Sequence, residues 1–427
     1  MRYVLWQCLT LFSCVQPINA RTWYVTPSGT GQAPTIQAAV DSCADGDEVV
    51  LAPGTYTWTS EGAAGTTSMV MIRKSITLRG EAGAESTILD AEGNSARVIG
   101  AFEPAVVTIT GLTVTGGHPP IAQPGGGILL PPGSTLSHCI IRNNRTESLG
   151  VGGGVSSYRA TVTDCQILNN RSGSDASGGG VAVSRGILIR CLVQGNASSG
   201  DPGGYGGGVS AFESEIVDCR IEGNRAHGPF GGAGGGLYAS GDTGVTISRC
   251  TFVGNSAESE LSSARGGAIA TEGLDPVLIT ECMFFGNWAS NSLSGTIYSS
   301  HANVQISYCT LVGNSSGITH GTVQNSIIAA SYEDLPCAGN ITLSCTVLWA
   351  NALGGNVICG MDGGGNFAAD PQFCAVDPVG SRNVFLQSDS PCLNAPGCGR
   401  IGAAPVGCEA VSIERLPWSD VKSIYRR

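Results

Sequence analysis

Charge is what this chain has least of. Only 13% of its 427 residues are Asp, Glu, Lys or Arg, about half of ordinary usage. The formal net charge is −11 and no basic patch interrupts it, which argues against a nucleic-acid partner. Past the first fifteen residues no apolar run approaches 18 residues, so no membrane-spanning helix is expected. A three-residue glycine period is also missing, which excludes collagen. Scarce charge does not mean disorder here, because 42% of residues are apolar. Glycine is abundant instead, at 63 residues, and each costs a helix interior about 1 kcal/mol. A helical bundle is therefore excluded, and a glycine-punctuated β protein remains. Runs such as Gly203-Gly-Tyr-Gly-Gly-Gly208 lack the lysine and the following helix of a phosphate loop.

Met1-Arg2, the apolar run Tyr3–Val15 and the small residue Ala20 read as a secretory signal over residues 1–20. Leu11-Phe12-Ser13-Cys14 offers a competing reading, a lipoprotein box with lipidation at Cys14. An exported chain makes disulfides possible. Cleavage after Ala20 leaves fifteen of the 17 cysteines, an odd number that needs sorting.

Seven segments share one shape: Cys139-Ile-Ile-Arg-Asn-Asn144 and its counterparts beginning at Cys165, Cys191, Cys219, Cys250, Cys282 and Cys309, ending at Asn170, Asn196, Asn224, Asn255, Asn287 and Asn314. The cysteines recur at intervals of 26, 26, 28, 31, 32 and 27 residues. An eighth unit, Gly111–Gly116, lies 28 residues upstream of Cys139 with glycine in both places. Between units come Gly152-Gly-Gly-Val155, Gly178-Gly-Gly-Val181, Gly206-Gly-Gly-Val209, Gly234-Gly-Gly-Leu237 and Gly266-Gly-Ala-Ile269. Each period holds three short β runs and no room for a crossover helix, the signature of a parallel β-helix. Coils about 4.8 Å apart pile equivalent residues into ladders. The cysteine row and the apolar residue two places on then face inward, and the Asn row closes a turn with stacked amides. The mixed set His138, Asp164, Arg190, Asp218, Arg249, Glu281 and Tyr308 belongs at an outward corner.

These residues resemble the right-handed parallel β-helix proteins with a pectin-lyase-like fold. Phe252-Val-Gly-Asn255, Phe284-Phe-Gly-Asn287 and Gly266-Gly-Ala-Ile269 also resemble the FxxN and GGAI repeats of chlamydial polymorphic outer membrane proteins. Trp23-Tyr-Val25, Thr35–Val40 and Gly46–Tyr56 look like the N-terminal cap of that fold, in which a short amphipathic helix plugs the first coil. The resemblance covers residues 22 to about 408 and implies an all-β, right-handed parallel β-helix (solenoid). The expected divisions are signal 1–20, N-terminal cap 21–57, repeats 58–334, terminal coils and Cys-rich cap 335–408, and a tail 409–427 that is a possible sorting or anchoring segment. The fold hosts lyases, hydrolases, epimerases, adhesins and inert scaffolds, so it does not settle function.

The seven ladder cysteines read as buried free thiols, since parallel in-register side chains are wrongly aimed for disulfides. A metal-binding row is the alternative, but tetrahedral sites need convergent ligands. Eight cysteines remain: Cys43, Cys337, Cys345, Cys359, Cys374, Cys392, Cys398 and Cys408. Seven crowd the last quarter, which suggests a disulfide-braced C-terminal cap, with Cys345 ambiguous because it could continue the ladder. Connectivity does not follow from sequence; Cys359–Cys374 and Cys398–Cys408 are the expected pairs.

In β-helix enzymes that this fold resembles, catalysis sits on an outward strand face and its loops. The outward residues after each glycine run are Leu129, Ser156, Ala182, Ser210, Tyr238, Ala270 and Tyr298, with no carboxylate, lysine or arginine. This argues against paired-carboxylate or base-and-cation chemistry. The loops add Tyr205, Arg225, His227 and Phe230, which with Tyr238 and Tyr298 are the glycan-contact candidates. Asp45-Gly-Asp47 and Asp362-Gly-Gly-Gly-Asn366 are turn sequences with Ca²⁺-like oxygens, and no other cofactor is expected. The expected function is a secreted or surface-displayed scaffold for adhesion or glycan contact, its partner a polysaccharide or host-cell glycan. A pectin-lyase-like polysaccharide lyase or glycoside hydrolase with loop-borne residues is the alternative.

Overall fold

The computed structural model describes residues 20–408 apart from 64, 202, 242–243, 274–275, 291–294, 302, 333–334, 352–356, 377–381 and 405. Residues 1–19 of the expected signal and the tail 409–427 lie outside the described residues. The chain winds into a parallel β-solenoid of a fourteen-stranded, a twelve-stranded and a nine-stranded sheet, which run from Thr22–Val25, Gly54–Thr57 and Ser68–Ile72 respectively. The expected three strands per coil become four in the middle. There Arg171–Ser172, Ala197–Ser199, Arg225–Gly228, Ser256–Ser259 and Trp288–Ala289 form a five-stranded sheet.

Single residues turn the chain between the fourteen- and twelve-stranded sheets. His138, Asp164, Arg190, Asp218, Arg249, Glu281 and Tyr308 all hold φ of 51–53° or 55°, the left-handed region. That conformation costs an L-residue about 1–2 kcal/mol. The corner side chains point out, as expected, and successive coils join them through Arg190–Asp164 (2.6 Å) and Arg249–Asp218 (2.7 Å). At the glycine runs, Gly152, Gly178, Gly206, Gly234 and Gly266 hold φ of 63–70°. The glycine after each meets neighbouring backbone: a Cβ on Gly179 would sit 2.3 Å from Ala197 O and Gly207 O.

The ladders form as the spacing requires. Asn196 Nδ2 donates to Asn224 Oδ1 (3.0 Å), and Asn224 Nδ2 donates to Asn255 Oδ1 (2.9 Å). The same link continues from Asn144 through Asn314. Each amide also donates to a carbonyl of the core, as Asn224 does to Val193 O (2.9 Å). The eighth unit is shifted by one residue from its expected register. Ile140 pairs with Thr113, so Leu112 enters the cysteine row, and Gly117 N donates to Asn144 Oδ1 from the Asn row. Gly111 is instead the corner, with φ 67°.

Cys139, Cys165, Cys191, Cys219, Cys250, Cys282 and Cys309 are free and buried, each at most 2% exposed. Each Sγ donates to the carbonyl two residues earlier, at 3.2–3.3 Å. Burial pushes the thiols of Cys165, Cys219, Cys250 and Cys282 well above their ordinary value. Thiolate is the reactive form, so these four thiols resist alkylation even at pH 8–9, and burial keeps the reagent from the whole row. Mass spectrometry after iodoacetamide treatment is expected to find these cysteines labelled only in denaturant. Rapid labelling without it would mean an open core.

The N-terminal helix Ile36–Ser42 turns Ile36, Ala39 and Val40 onto the first coil, with the Thr35 hydroxyl accepting from Ala38 N (3.1 Å). It is the expected amphipathic cap. The C-terminal cap is disulfide-braced, but its pairs are Cys337–Cys359, Cys345–Cys398 and Cys374–Cys408, so the expected Cys359–Cys374 and Cys398–Cys408 are wrong. Nearness in sequence failed as a guide because the chain folds back after residue 383. Val384, Leu386, Ile401 and Ala404 pack on the outer face of the twelve-stranded sheet, against Phe285, Val312, Ile327 and Val347. Gly402 N donates to Asn325 O (2.7 Å) and Ala403 N to Thr310 Oγ1 (3.0 Å). Cys345 takes a corner position (φ 49°) with Thr346 in the ladder row, and there it meets Cys398 on the returning segment. Cys43 and Cys392 are buried and free, and burial pushes each thiol up to about 11.

Candidate functional site

The nine-stranded, glycine-led sheet turns one face outward along the solenoid. Leu129, Ser156, Ala182, Ser210, Tyr238, Ala270 and Tyr298 pair in one register and form one row of that face. Two residues along each strand a second row runs Tyr158, Ser184, Phe212, Ser240. Each row therefore holds two rings two coils apart, about 10 Å, among mostly Ser and Ala. Phe102 lies two residues past Gly100, which pairs with Leu129, and extends the pattern toward the first coils.

An arginine accompanies most of these rings. Arg159 lies 5.3 Å from the Tyr158 ring centroid, Arg185 5.7 Å from Phe212 and Arg265 5.6 Å from Tyr298. Tyr205 packs its edge on Tyr238, with centroids 5.1 Å apart. The Tyr238 hydroxyl donates to Glu272 Oε2 (3.0 Å), and Glu272 pairs with Arg265 at 2.6 Å. Tyr205, Tyr238, Arg265, Glu272 and Tyr298 are thus one connected cluster drawn from four coils. Burial, then the Glu272 charge, hold the Tyr238 phenol well above its usual range. Glu213 pairs with Arg185 at 2.5 Å, so the carboxylates Glu213 and Glu272 on this face are both engaged by arginine.

Arg225, His227 and Phe230 lie elsewhere. Arg225 and His227 project from one strand of the five-stranded sheet, each toward a carboxylate of the next coil. Arg225 Nε donates to Glu258 Oε1 (2.7 Å) and holds that carboxyl below the usual range. His227 lies 3.4 Å from Glu260. Phe230 is 60% exposed on the loop that follows. The expected six-residue group is therefore two surfaces: Tyr238 and Tyr298 on the glycine-led sheet with Tyr205 packed on Tyr238, and a charged strip with an exposed ring.

A third arrangement gave no sequence signal. His118 Nε2 bonds Glu147, and Arg145 Nη2 donates to His118 Nδ1 (2.9 Å). The histidine bond holds the Glu147 carboxyl below its usual range. Ser95, His118, Pro119, Pro120, Ile121 and Glu147 line an open cleft of about 420 Å³. The pair comes from loops in neighbouring coils 29 residues apart, a distance at which no motif connects them. Tyr158 and Phe212 were detectable in principle, since they sit two residues beyond the first outward row and share its face.

The oxygens of the two turn sequences are taken by the chain itself. Asp47 accepts from Arg21 N and Ala44 N (2.7 and 2.8 Å), and Asp362 Oδ1 accepts from Gly364 N and Asn366 Nδ2 (2.9 and 2.6 Å). Among the described residues no three His, Cys, Asp or Glu side chains are grouped to hold a metal ion. No helix among them is long and apolar enough to cross a membrane.

Coils in register, ladders inside and one ring-bearing face outside define a β-solenoid with a long lateral surface. The chain belongs to the right-handed β-helix family, whose model, described as the right handed beta helix region, matches residues 96–257 and 202–332. Solved structures similar to it include a pectate lyase (15% identity, 91% of this chain and 96% of that one, TM-score 0.46). Another is a PL6 family alginate lyase (13%, 93% and 59%, TM-score 0.49). A third is the catalytic unit of a GH87 α-1,3-glucanase from Streptomyces thermodiastaticus (16%, 83% and 71%, TM-score 0.41). No curated protein sequence matches the chain.

Proposed function

We propose that the protein is an exported β-helix that holds an extended glycan along the outward face of its glycine-led sheet without turning it over. The supporting observation is the two pairs of rings, Tyr158 and Phe212 beside Tyr238 and Tyr298, the members of each pair two coils apart. A polymer lying along the axis meets rings for its apolar sugar faces, and serine hydroxyls and guanidinium groups for its oxygens. Glu213 and Glu272 are held in ion pairs, which suits contact better than proton transfer. Three disulfides fit an oxidising compartment, so a secreted or outer-surface location belongs to this reading.

A second reading, a lyase or hydrolase with loop-borne groups, is favoured by His118 held between Glu147 and Arg145 beside the cleft. One experiment separates the two. A glycan array with a uronate-polymer degradation assay is run on the wild type, Tyr238→Ala/Tyr298→Ala, and His118→Ala. The expected outcome is binding weakened about tenfold to a hundredfold by the ring variant, with no degradation. Degradation abolished by His118→Ala would replace the contact reading.

A further inference from the structure

Arg97 is the largest fully buried side chain of the protein's described residues, at 1% exposure, and no carboxylate among them pairs with it. Its Nη2 donates to Gln123 Oε1 (3.1 Å) and Pro124 O (3.0 Å), both neutral acceptors on one loop. Its Nε has no partner. In the neighbouring coil Ser68 pairs with Arg97 across the sheet, and its buried hydroxyl also has no partner. A guanidinium stays charged at neutral pH, and an unpaired buried charge costs several kcal/mol. Burial alone drives its pKa down, with no opposing charge to hold it up.

The surroundings add positive charge. Arg73 lies 5.0 Å and Arg97 5.9 Å from the centroid of the same Phe102 ring. Gly100 lets Ser68 Oγ and the Phe102 ring pack against its backbone, because a Cβ there would fall 2.4 Å from Ser68 Oγ and 2.9 Å from the ring. A buried cation and two unfilled hydrogen-bonding groups thus stand on register-paired residues of neighbouring coils, under the Gln123–Pro124 loop.

We propose that this place is a built site for one small monovalent anion of halide size, held by Arg97 Nε and the Ser68 hydroxyl. The anion neutralises Arg97 and fills both unmet hydrogen bonds, and the burial of both residues favours the smallest ion that can do so. Since Gln123 and Pro124 also hold Arg97, the ion fixes the loop that begins at the His118 cleft. The proposal is independent of the glycan reading.

The test uses the full chain, exchanged into gluconate and titrated with chloride or bromide at constant ionic strength. Tm is expected to rise saturably by about 2–3 °C with either halide. Ser68→Ala, which keeps Arg97, is expected to raise the half-saturating concentration at least fivefold, and Gly100→Ala to abolish the rise by displacing Ser68 Oγ. Bromide-soaked crystals should give an anomalous peak within hydrogen-bond reach of Arg97 Nε and Ser68 Oγ. A formate arm asks whether a small carboxylate substitutes; a formate-only rise would assign the site to carboxylates instead of halides. A Tm indifferent to every small anion, or a water without anomalous signal at Arg97, would overturn the proposal.

Discussion

Asn224→Ala is expected to destabilise the solenoid by about 4 kcal/mol, far more than deleting the thiol of Cys219 in the same coil. Four hydrogen bonds depend on that amide. Asn196 N and Nδ2 donate to its Oδ1 (2.9 and 3.0 Å), and its Nδ2 donates to Val193 O and Asn255 Oδ1 (both 2.9 Å). Truncation leaves Asn196 N buried without a partner, at about 1–3 kcal/mol, and removes three further hydrogen bonds at about 1 kcal/mol each, Val193 O keeping only its bond in the strand ladder. The remaining two groups keep other partners: Asn196 Nδ2 still reaches Ile167 O (2.8 Å), and Asn255 Oδ1 still accepts from Asn224 N (3.1 Å). Cys219→Ala removes a weak S–H donor and takes from buried Cys191 N an acceptor that is only a long N–H···S contact of 3.5 Å, so about 1–2 kcal/mol is expected. Urea unfolding monitored by circular dichroism, with hydrogen exchange to locate the weakened coils, reads the difference. Equal losses for the two variants would refute the view that the amide row, rather than the thiol row, carries the ladder's polar stability. In a solenoid the damage is local first, so exchange should quicken in the coils around Asn224 before the ends respond.

The unequal worth of the two rows parallels how much of the molecule could be read from its sequence. A buried ladder repeats its chemistry at every coil, so seven cysteines and seven asparagines announced their positions by spacing alone. The corner row was legible for the opposite reason: a set as mixed as His138, Asp164 and Tyr308 has only solvent in common. Register failed by one residue at Gly111, where a glycine that belonged to the corner was placed in the cysteine row. Leu112 fills that core position as well as a thiol does, so only the pairing of Ile140 with Thr113 exposes the slip. The functional surface was half legible. Tyr238 and Tyr298 follow from alternation, whereas the tie from Tyr238 through Glu272 to Arg265 crosses between coils that sequence cannot bring together. Arg225 and His227 were grouped with those tyrosines because the fourth strand was not foreseen, and that strand carries them onto another face. Arg97 was passed over altogether, though an arginine opening the apolar run Val98-Ile-Gly-Ala101 was a signal.

Severing Cys345–Cys398 is expected to release the returning segment while leaving the coils wound. This bond joins the end of the repeat to the strip on the outer face, closing a separation of 53 residues, the longest of the three. Loop-closure entropy for that length corresponds to about 4 kcal/mol, against about 3–4 kcal/mol for the separations of 22 and 34. The strip has few large apolar side chains of its own, chiefly Val384, Leu386 and Ile401, so covalent restraint weighs heavily in keeping it docked. Undocking uncovers Phe285, Val312, Ile327 and Val347, an apolar stripe across successive coils. In a Cys345→Ser/Cys398→Ser variant, limited proteolysis should therefore cut within the returning segment at least tenfold faster, and a dye that binds exposed apolar surface should brighten. Far-ultraviolet circular dichroism should hardly change, because the ladders do not involve the strip. Loss of the β signal together with the strip would show that the cap is needed to keep the solenoid wound. An unchanged cleavage rate would show that the remaining bonds and Gly402 N to Asn325 O suffice to dock it. The expected separation follows from the two classes of cysteine: Cys345–Cys398 and Cys374–Cys408 hold the returning segment, whereas the inner thiols form no disulfide and only fill the core with weak hydrogen bonds.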